Sequence, residues 1–273
     1  MPKRPAFVGG VALLVILAGG YAAAAQRSLD FGSPRTPPPA SVPNLFAENT
    51  PDPDAPPGAT AVPSPTRTAK PKPRGTIGPL GTQRLTGSKG VAVTFDDGPD
   101  PQWTPKVLDQ LRTAKIKATF CLVGSRVQRY PALVVRIVRE GHTVCNHSWQ
   151  HDLKLGEKPE PEISADLART NREIRRAVPS VKIAYFRQPG GMWTPELIKI
   201  TKDQGMTSLH WDVDPADWEK PGAKVIIKRV TEQARPGSIV LLHDGGGDRS
   251  GTLSACPDVF DTLRTKYGIV RLR

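Results

Sequence analysis

Two adjacent aspartates follow an apolar run in the sequence VAVTFDDGPDP, which begins at Val91. Like charges side by side repel each other, so Asp96 and Asp97 are a costly way to end a strand. Two carboxylates at one turn suit a site in which one binds a cation and the other accepts a proton. Successive residues that leave a strand point in different directions, so the pair can divide these tasks. A nearby cation would keep the second carboxylate ionised.

Two histidines lie four residues apart in NHSWQH, at His147 and His151. On a helical turn both imidazoles lie on one face, which suits two ligands of one metal ion. With one aspartate they make three protein ligands and leave open positions for water and substrate, as in catalytic metal sites. The same ligand types serve non-haem iron oxygenases, so they do not decide the metal. Two histidines without a metal remain the alternative interpretation.

Three later segments supply groups for proton transfer. FRQPGG contains Arg187, and its proline and glycines fix a loop whose N–H groups can approach a substrate closely. LLHDGGG contains His243, a residue suited to protonate a leaving group. WDVDPADW contains Asp214 and Asp217, and either could orient and charge His243.

The elements that must position these residues alternate between strands and helices. Short β-branched runs predict strands, and segments with helical periodicity between them predict helices. This order implies a parallel sheet or barrel with right-handed crossovers. The predicted strands are 91–95, 118–123, 142–146, 184–186, 206–211, 238–242 and 269–272. The candidate residues follow strand ends, where the active sites of such barrels lie.

Five motifs of this region resemble, in order, those of the polysaccharide deacetylases of carbohydrate esterase family four, which share a nodulation-type chitooligosaccharide deacetylase domain. The motifs are TFDDGP at 94–99, H-S-x-x-H at 147–151, R-x-P-x-G at 187–191, D-x-x-D-W at 214–218 and L-x-H at 241–243. The resemblance covers residues from about 90 to 273. It implies an α/β fold, a distorted (β/α)7 barrel, and metal-dependent removal of acetyl groups from sugars.

The resemblance also implies a role for each motif residue. Asp96 resembles the catalytic base and Arg187 the residue that pairs with it, while His243 resembles the acid and Asp217 the residue that tunes it. The implied ligands of a divalent metal, zinc in the first place and cobalt or another ion as alternatives, are Asp97, His147 and His151. The implied substrate and oxyanion contacts are Gly190, Trp193, Trp218 and Leu241.

Gly190 departs from the family pattern, because many members have an aromatic residue there. The oxyanion contact comes from a backbone N–H, which glycine keeps, so the substrate range is expected to differ rather than the chemistry. All five tryptophans lie close to the motifs, where aromatic rings would stack on sugars. For Trp149 and Trp211, packing in the core is the favoured interpretation.

Residues 1–30 predict export. Lys3 and Arg4 precede an apolar run, 6–25, that ends in an A-x-A-like site. A cleaved signal peptide and an uncleaved anchor are both open, because about 20 apolar residues can span a bilayer. We therefore expect a secreted or membrane-anchored protein at the extracellular face or in the cell wall, with an N-terminal segment that can contact the membrane.

Residues 31–83 are rich in proline, serine, threonine and alanine, with little apolar content. This composition predicts a disordered, extended linker that holds the catalytic domain, 84–273, away from a membrane. A chain that starts near Arg84 is accordingly expected to keep full activity on soluble oligomers.

The net charge of +12 allows a nucleic-acid partner, but no Lys/Arg run is interleaved with aromatic residues, so we expect none. Attraction to an anionic wall polymer and a merely solvated basic surface are the two interpretations left open. The expected partner is an acetylated polysaccharide or oligosaccharide, bound by a monomer.

Three cysteines occur in the chain. Cys121 and Cys145 fall in successive predicted strands, which are usually neighbours in such a fold. Because export favours oxidation, we predict a disulfide between them and an unpaired Cys256.

Several functions compete at this point. The leading hypothesis is an N-acetylglucosamine deacetylase that acts on peptidoglycan or chitin-like oligomers. An O-acetylxylan esterase would use the same machinery. A non-catalytic wall-binding protein and an iron oxygenase are the alternatives from other classes.

Overall fold

The computed structural model of the chain describes residues 75–272, and all structural statements below concern these residues. The predicted export segment and most of the predicted linker lie outside them. Within residues 75–272, no helix is long and apolar enough to cross a membrane.

Six parallel strands form the core sheet. Their short apolar runs are buried between helices, as is usual for parallel strands. The strands are β1 (Ala92–Asp96), β2 (Thr119–Leu122), β3 (Thr143–Asn146), β4 (Ile183–Phe186), β5 (Thr207–Ser208) and β6 (Ile239–His243). They are arranged in the order β5-β4-β3-β2-β1-β6, so β1 lies between β2 and β6.

The segment after β5 brings the two edges of the sheet together. The Leu209 N–H donates to the Phe186 carbonyl at the end of β4, at 2.8 Å. Four residues later, Val213 forms a bridge with Val240 of β6. Because one short segment hydrogen-bonds to both ends of the sheet, the six strands curl into an incomplete barrel.

The predicted seventh strand, 269–272, is reduced to a single bridge between Ile269 and Val91. The Leu272 carbonyl accepts a hydrogen bond from the hydroxyl of Thr143, at the start of β3. The chain therefore crosses below the sheet towards β3 instead of running alongside one strand. The distorted barrel is confirmed, with six strands rather than seven.

Seven helices cover the sheet, each with an apolar face towards it. Residues such as Leu108, Ile137, Leu167 and Phe260 are fully or almost fully buried in this layer. The helices are α1 (Thr104–Ala114), α2 (Gly124–Arg129), α3 (Pro131–Arg139), α4 (Glu160–Ala177), α5 (Pro195–Asp203), α6 (Ala223–Gln233) and α7 (Ser250–Tyr267). Several begin with proline in the first turn, where its missing N–H has no partner to lose.

A disulfide joins β2 to β3. Cys121 and Cys145 are register partners on these strands, and their Cα atoms are 4.2 Å apart. This is the pair that the sequence predicts from the adjacency of the strands. Cys256 is a free thiol buried in the core.

Residues 75–83, which we call the lead-in, pack on the domain instead of belonging to an extended linker. The Gln83 N–H donates to the Ser208 carbonyl at 2.9 Å, and the Gln83 carbonyl accepts from the His210 N–H at 2.8 Å. Residues 75–83 of the predicted linker therefore pack on the domain. Proline content predicts an open chain, but long-range backbone hydrogen bonds order this stretch.

A cluster of ion pairs fastens the lead-in at its other end. The buried carboxylate of Asp212 accepts from Arg84 Nε at 3.0 Å and from Arg235 Nη2 at 2.8 Å. Arg235 Nη2 also donates to the Gly75 carbonyl at 2.7 Å. The first described residue is thus tied to a charge network in the body of the domain.

Candidate active site

The two adjacent aspartates face different partners. Asp96 ends β1, and its Oδ1 accepts from Arg187 Nη1 at 2.7 Å. Asp97 has a left-handed backbone with φ 73°, a conformation that is uncommon for residues other than glycine. Its Oδ1 lies 3.1 Å from His151 Nε2 and 3.4 Å from His147 Nε2. One carboxylate therefore lies against a guanidinium and the other against two imidazoles.

The two histidines reach Asp97 from an irregular turn after β3. His147 is buried, and its Nδ1 lies 2.7 Å from the Arg187 carbonyl. That contact places the proton on Nδ1 and leaves Nε2 facing Asp97. Ser148 and His151 have left-handed backbones, with φ 62° and 58°. The helical turn expected for this spacing is wrong, because these two residues break the helical path.

Asp97, His147 and His151 fit the ligand set of a divalent cation. Their donor atoms all lie within 4.8 Å of one another. Oδ1 of Asp97 is buried and has no hydrogen-bond partner of good geometry within residues 75–272. Ligands bound at about 2.0–2.1 Å in a tetrahedron lie roughly 3.3 Å apart. The 3.1 and 3.4 Å from Asp97 Oδ1 to the two imidazoles are close to this separation.

The charge state of Asp97 suits this role. Burial would raise the pKa of Asp97, but its interactions with His147 and His151 hold that pKa well below its usual range. For His151, burial lowers the pKa, and the contact with Asp97 outweighs this and raises it. The carboxylate is thus ionised, as a metal ligand must be.

Arg187 holds Asp96 from a fully buried position directly after β4. Besides Asp96, its guanidinium donates to Thr94 Oγ1 at 2.8 Å and to the His210 carbonyl at 3.2 Å. A buried charge is tolerated when it is paired and hydrogen-bonded in this way. The other oxygen of Asp96, Oδ2, lies 3.6 Å from His147 Nε2. Asp96 therefore faces the three-ligand cluster from a fixed position.

His243 ends β6 and is the register partner of Asp96 across the sheet. Its Nδ1 lies 2.6 Å from Oδ1 of Asp217. Oδ2 of Asp217 accepts from the His243 backbone N–H at 3.0 Å and from the Thr252 hydroxyl at 2.7 Å. Asp217 is thus the partner of His243, while Asp214 accepts from the Ala216 N–H at 2.7 Å.

The surroundings of His243 favour its protonated form. Burial alone would lower the pKa of His243, but the hydrogen bond to Asp217 and the charges of Asp217, Asp97 and Asp96 raise it to about 9. At neutral pH the imidazole is therefore protonated on both nitrogens, on Nδ1, which faces Asp217, and on Nε2.

A cavity of about 370 Å³ collects these groups. The carboxylates, the ligand histidines and His243 line it, together with Gly190, Trp218 and Leu241 from the predicted substrate contacts. Leu153 and Trp211 also line it, and the sequence did not place either of them there. Trp211 was assigned to the core, and Leu153 lies in a loop without any periodic pattern.

Trp193 lies beside this cavity. Its ring packs edge-on against Phe186, with centroids 5.8 Å apart, and its Nε1 donates to His210 Nδ1 at 3.3 Å. Burial lowers the pKa of His210 to about 4, so the acceptor is neutral. Trp149 is buried, as predicted, and the Arg169 guanidinium stacks 3.6 Å from its centroid.

Sequence reasoning missed Asp244, which supports the loop that carries Asp97. The Asp244 carboxylate is fully buried and accepts from the Thr104 hydroxyl at 2.6 Å, and its backbone N–H donates to the Asp96 carbonyl at 3.0 Å. A Cβ at Gly98 would lie 2.6 Å from both carboxylate oxygens of Asp244. The loop can therefore pack this closely against Asp244 only because residue 98 is glycine. Burial raises the pKa of Asp244 to about 7. An acidic residue directly after His243 was the available signal.

Comparison with known proteins agrees with this geometry. The polysaccharide deacetylase family model matches residues 83–209. A chitooligosaccharide deacetylase from Sinorhizobium fredii is 39% identical over 160 residues, which are 59% of this chain and 74% of that protein. The chain belongs to the polysaccharide deacetylase family. With a named deacetylase at this identity, the family assignment makes the protein a deacetylase, and so a hydrolase.

Solved structures share the fold of this polysaccharide deacetylase. The Bc1960 peptidoglycan N-acetylglucosamine deacetylase is 33% identical, with a TM-score of 0.65 over 68% of this chain and 87% of that chain. A CE4 family pseudoenzyme from Bacillus anthracis is 31% identical, with a TM-score of 0.63 over 67% of this chain. The match spans 64% of the pseudoenzyme. Because a pseudoenzyme shares this fold, the fold alone does not distinguish active from inactive members.

Proposed function

We propose that the protein removes N-acetyl groups from N-acetylglucosamine units of a polysaccharide, either peptidoglycan or a chitin-like oligomer. The observation that carries the proposal is the arrangement in one cavity: a carboxylate held by a buried arginine lies beside a three-ligand cluster and next to a histidine paired with a carboxylate. This arrangement has a group for each proton movement that amide hydrolysis requires.

Asp97, His147 and His151 would hold a divalent cation, and we propose zinc because two imidazoles and one carboxylate are ligands that zinc accepts. A bound cation would lower the pKa of a water molecule and polarise the acetyl carbonyl. His147 is prepared for this role by its contact with the Arg187 carbonyl, which leaves Nε2 available.

Asp96 is the proposed base. It takes a proton from the attacking water while Arg187 holds its carboxylate in place and supplies the compensating charge. Because Arg187 also bonds to Thr94 and the His210 carbonyl, the carboxylate cannot turn away from the cavity without breaking this buried network.

His243 is the proposed acid. An amine is a poor leaving group unless its nitrogen is protonated as the C–N bond breaks. Asp217 keeps His243 protonated and orients the ring, so the free nitrogen can donate its proton to the departing amine. Hydrolysis then leaves acetate and a glucosamine unit.

The cavity walls would bind the acetyl group and the sugar. We propose that the Gly190 N–H helps to stabilise the developing oxyanion, since donors aimed at that charge are effective in a site shielded from water. Leu241 and the half-exposed Trp218 supply apolar contacts for the sugar ring. Trp193 shapes the adjoining surface.

Acetate release on a panel of substrates tests the proposal. Peptidoglycan, chitooligomers and acetylxylan are compared, each with and without a chelator. Acetate from the first or second, lost on chelation, is the expected result. Acetate from acetylxylan alone would indicate an esterase, bound metal without acetate a non-catalytic binding protein, and oxygen uptake an oxygenase.

We further propose that the protein is exported and acts as a monomer at the extracellular face or in the cell wall. The disulfide between Cys121 and Cys145 supports export, because such bonds persist in oxidising compartments. Cell fractionation followed by non-reducing mass spectrometry tests this. Recovery from the cytosol with both thiols reduced would contradict it.

A further inference from the structure

A second cavity, of about 260 Å³, adjoins the active-site cavity, and the side chain of Leu153 lines both. Its Cδ2 lies 3.0 Å from the position that a Cβ would take at Gly190. Gln188 Nε2 donates to the carbonyls of Asp152 and Leu153, each at 3.1 Å, which fixes this loop. Since Leu153 borders both cavities, the second cavity lies directly beside the active site.

The outer wall of the second cavity comes from the lead-in. Pro79 and Leu80 line it. Leu80 has φ 51° and ψ 31°, a left-handed conformation that is a genuine outlier for a bulky residue. The turn is closed by Thr82, whose hydroxyl donates to the Pro79 carbonyl at 2.8 Å. Strained residues of this kind persist where the surroundings impose them, and they cluster at binding sites.

The lining of this cavity has the chemistry of a sugar-binding surface. Leu80 and Met192 are 56% and 59% exposed, among the most exposed large apolar side chains of residues 75–272, and Trp193 lies beside them. Clustered exposed apolar residues mark binding sites. Thr194 and Glu157 supply polar atoms on the same lining. This mixture suits a pyranose, which has an apolar C–H face and hydroxyl groups at its edge.

The volume and the charge of the second cavity limit which ligands it can bind. The volume is below the roughly 300–1,000 Å³ of sites that take drug-sized ligands, so the cavity suits one ring. Glu157 is the single ionisable residue among those that line it. A carboxylate favours a neutral or amine-bearing sugar and disfavours an acidic one.

We propose that this cavity binds the sugar unit next to the one being deacetylated, and that Leu80 of the lead-in forms its outer wall. The inference rests on the proposed function and deepens it, since the preferred substrate would span at least two units. Leu80 precedes the residues that match the family model, 83–209, so this wall is a specificity element outside the matched region.

The experiment compares two substrates with the full-length enzyme. One is a tetramer of N-acetylglucosamine, long enough to place sugar units in both cavities, and the other is an aryl acetate, which has no second sugar unit. For Leu80→Gly, we expect the ratio of kcat/KM for tetramer over aryl acetate to fall about tenfold, mainly through KM. The melting temperature should not fall, because glycine adopts a positive φ without strain.

Two further variants control for structure and chemistry. Met192→Ala should lower the same ratio. Ile77→Ala, at a residue of the lead-in that is 66% exposed and not part of the lining, should leave it unchanged. An unchanged ratio in both the Leu80 and the Met192 variant would overturn the inference alone. Absence of acetate from every oligomer with the parent enzyme would overturn the proposed function, and the inference with it.

Discussion

The candidate site has two halves that are built differently. In the ligand half, Asp97 and His151 sit on left-handed backbone in loops. In the proton-transfer half, Asp96 and His243 are the last residues of β1 and β6 and face each other as register partners. Each of these two residues also has a buried partner of opposite charge. Asp96 pairs with Arg187, and His243 pairs with Asp217.

This difference separates two requirements. The backbone separation of Asp96 and His243 is set by the spacing of adjacent strands, about 4.8 Å, which loop changes do not alter. The ligands must converge on one point, and a regular strand cannot turn neighbouring side chains towards the same point. The ligand half should therefore fail by losing metal, whereas the proton-transfer half should fail with the metal still bound.

The adjacent aspartates give the largest expected contrast. Asp96→Asn should keep about one equivalent of metal while turnover falls roughly 10²-fold or more, the usual scale of a general base. Asp97→Asn removes an anionic ligand, so metal content should fall steeply and activity should return in part with excess zinc. Elemental analysis beside acetate release measures both. Metal lost from the Asp96 variant and kept by the Asp97 variant would reverse the two roles.

His243→Ala should separate substrates by leaving group. We expect a loss of roughly 10²-fold or more on an N-acetyl sugar and a much smaller loss on an activated aryl acetate, because a nitrophenolate leaves without a proton. Metal content should stay at the parent level. Equal losses on both substrates would remove His243 from the acid role.

Arg187→Ala tests the difference between the two halves by its effect on the free energy of unfolding. It leaves the buried Asp96 carboxylate without its counter-charge, a change that costs about 3–5 kcal/mol in the free energy of unfolding. His151→Ala, in the ligand half, removes a side chain that is 39% exposed and should cost far less. Denaturant unfolding with a chelator present compares the two. Similar losses in both variants would contradict the division between the halves.

Asp217→Asn should give the smallest effect, a shift in pH dependence. His243 must carry its proton to act, so activity declines as pH rises through its pKa. Removing the negative charge of Asp217 lowers that pKa, and the alkaline limb of the kcat profile moves to lower pH. Asp214→Asn, at a carboxylate bonded to the Ala216 N–H, is the control and should move it less. An unmoved limb in the Asp217 variant would separate Asp217 from the acid.

The same ion pair predicts a pH dependence of stability in the metal-free protein. The pKa of His243 is higher in the folded chain than the usual value near 6.5 of an unfolded one. Its contribution to stability is therefore complete below about pH 6.5 and is lost as pH rises towards 9. In the Asp217→Asn variant this loss should be smaller, because only the charges of Asp97 and Asp96 still raise the pKa of His243.

The proton-transfer half of the site could be predicted because parallel strands collect their carboxyl ends at one edge. Asp96, Arg187 and His243 therefore come together whatever the loops do. The turn that carries His151 could not be predicted, since its left-handed residues have ordinary side chains. Leu153 and Leu80 could not be predicted as lining residues either, because an exposed apolar residue in a loop belongs to no periodic pattern.

The limits of the domain were harder to predict than its centre. The proline content before residue 84 favours an open chain, but pairing with Ser208 and His210, more than 120 residues away, and the bond from Arg235 to Gly75 order the lead-in. The last predicted strand failed similarly. Its apolar pattern suits a strand, but the contact of Leu272 with Thr143 directs it across the sheet.

The ion pairs around Asp212 have a mechanical consequence. If the chain before Gly75 were held at a surface, any pull on it would enter the domain at Arg235 and Asp212. These bonds would take up load before it reached Leu80 or the paired segment at Gln83. Asp212 is hydrogen-bonded to Ser238 and to Ile239 at the start of β6. Such a load would therefore be taken up at the opposite end of that strand from His243.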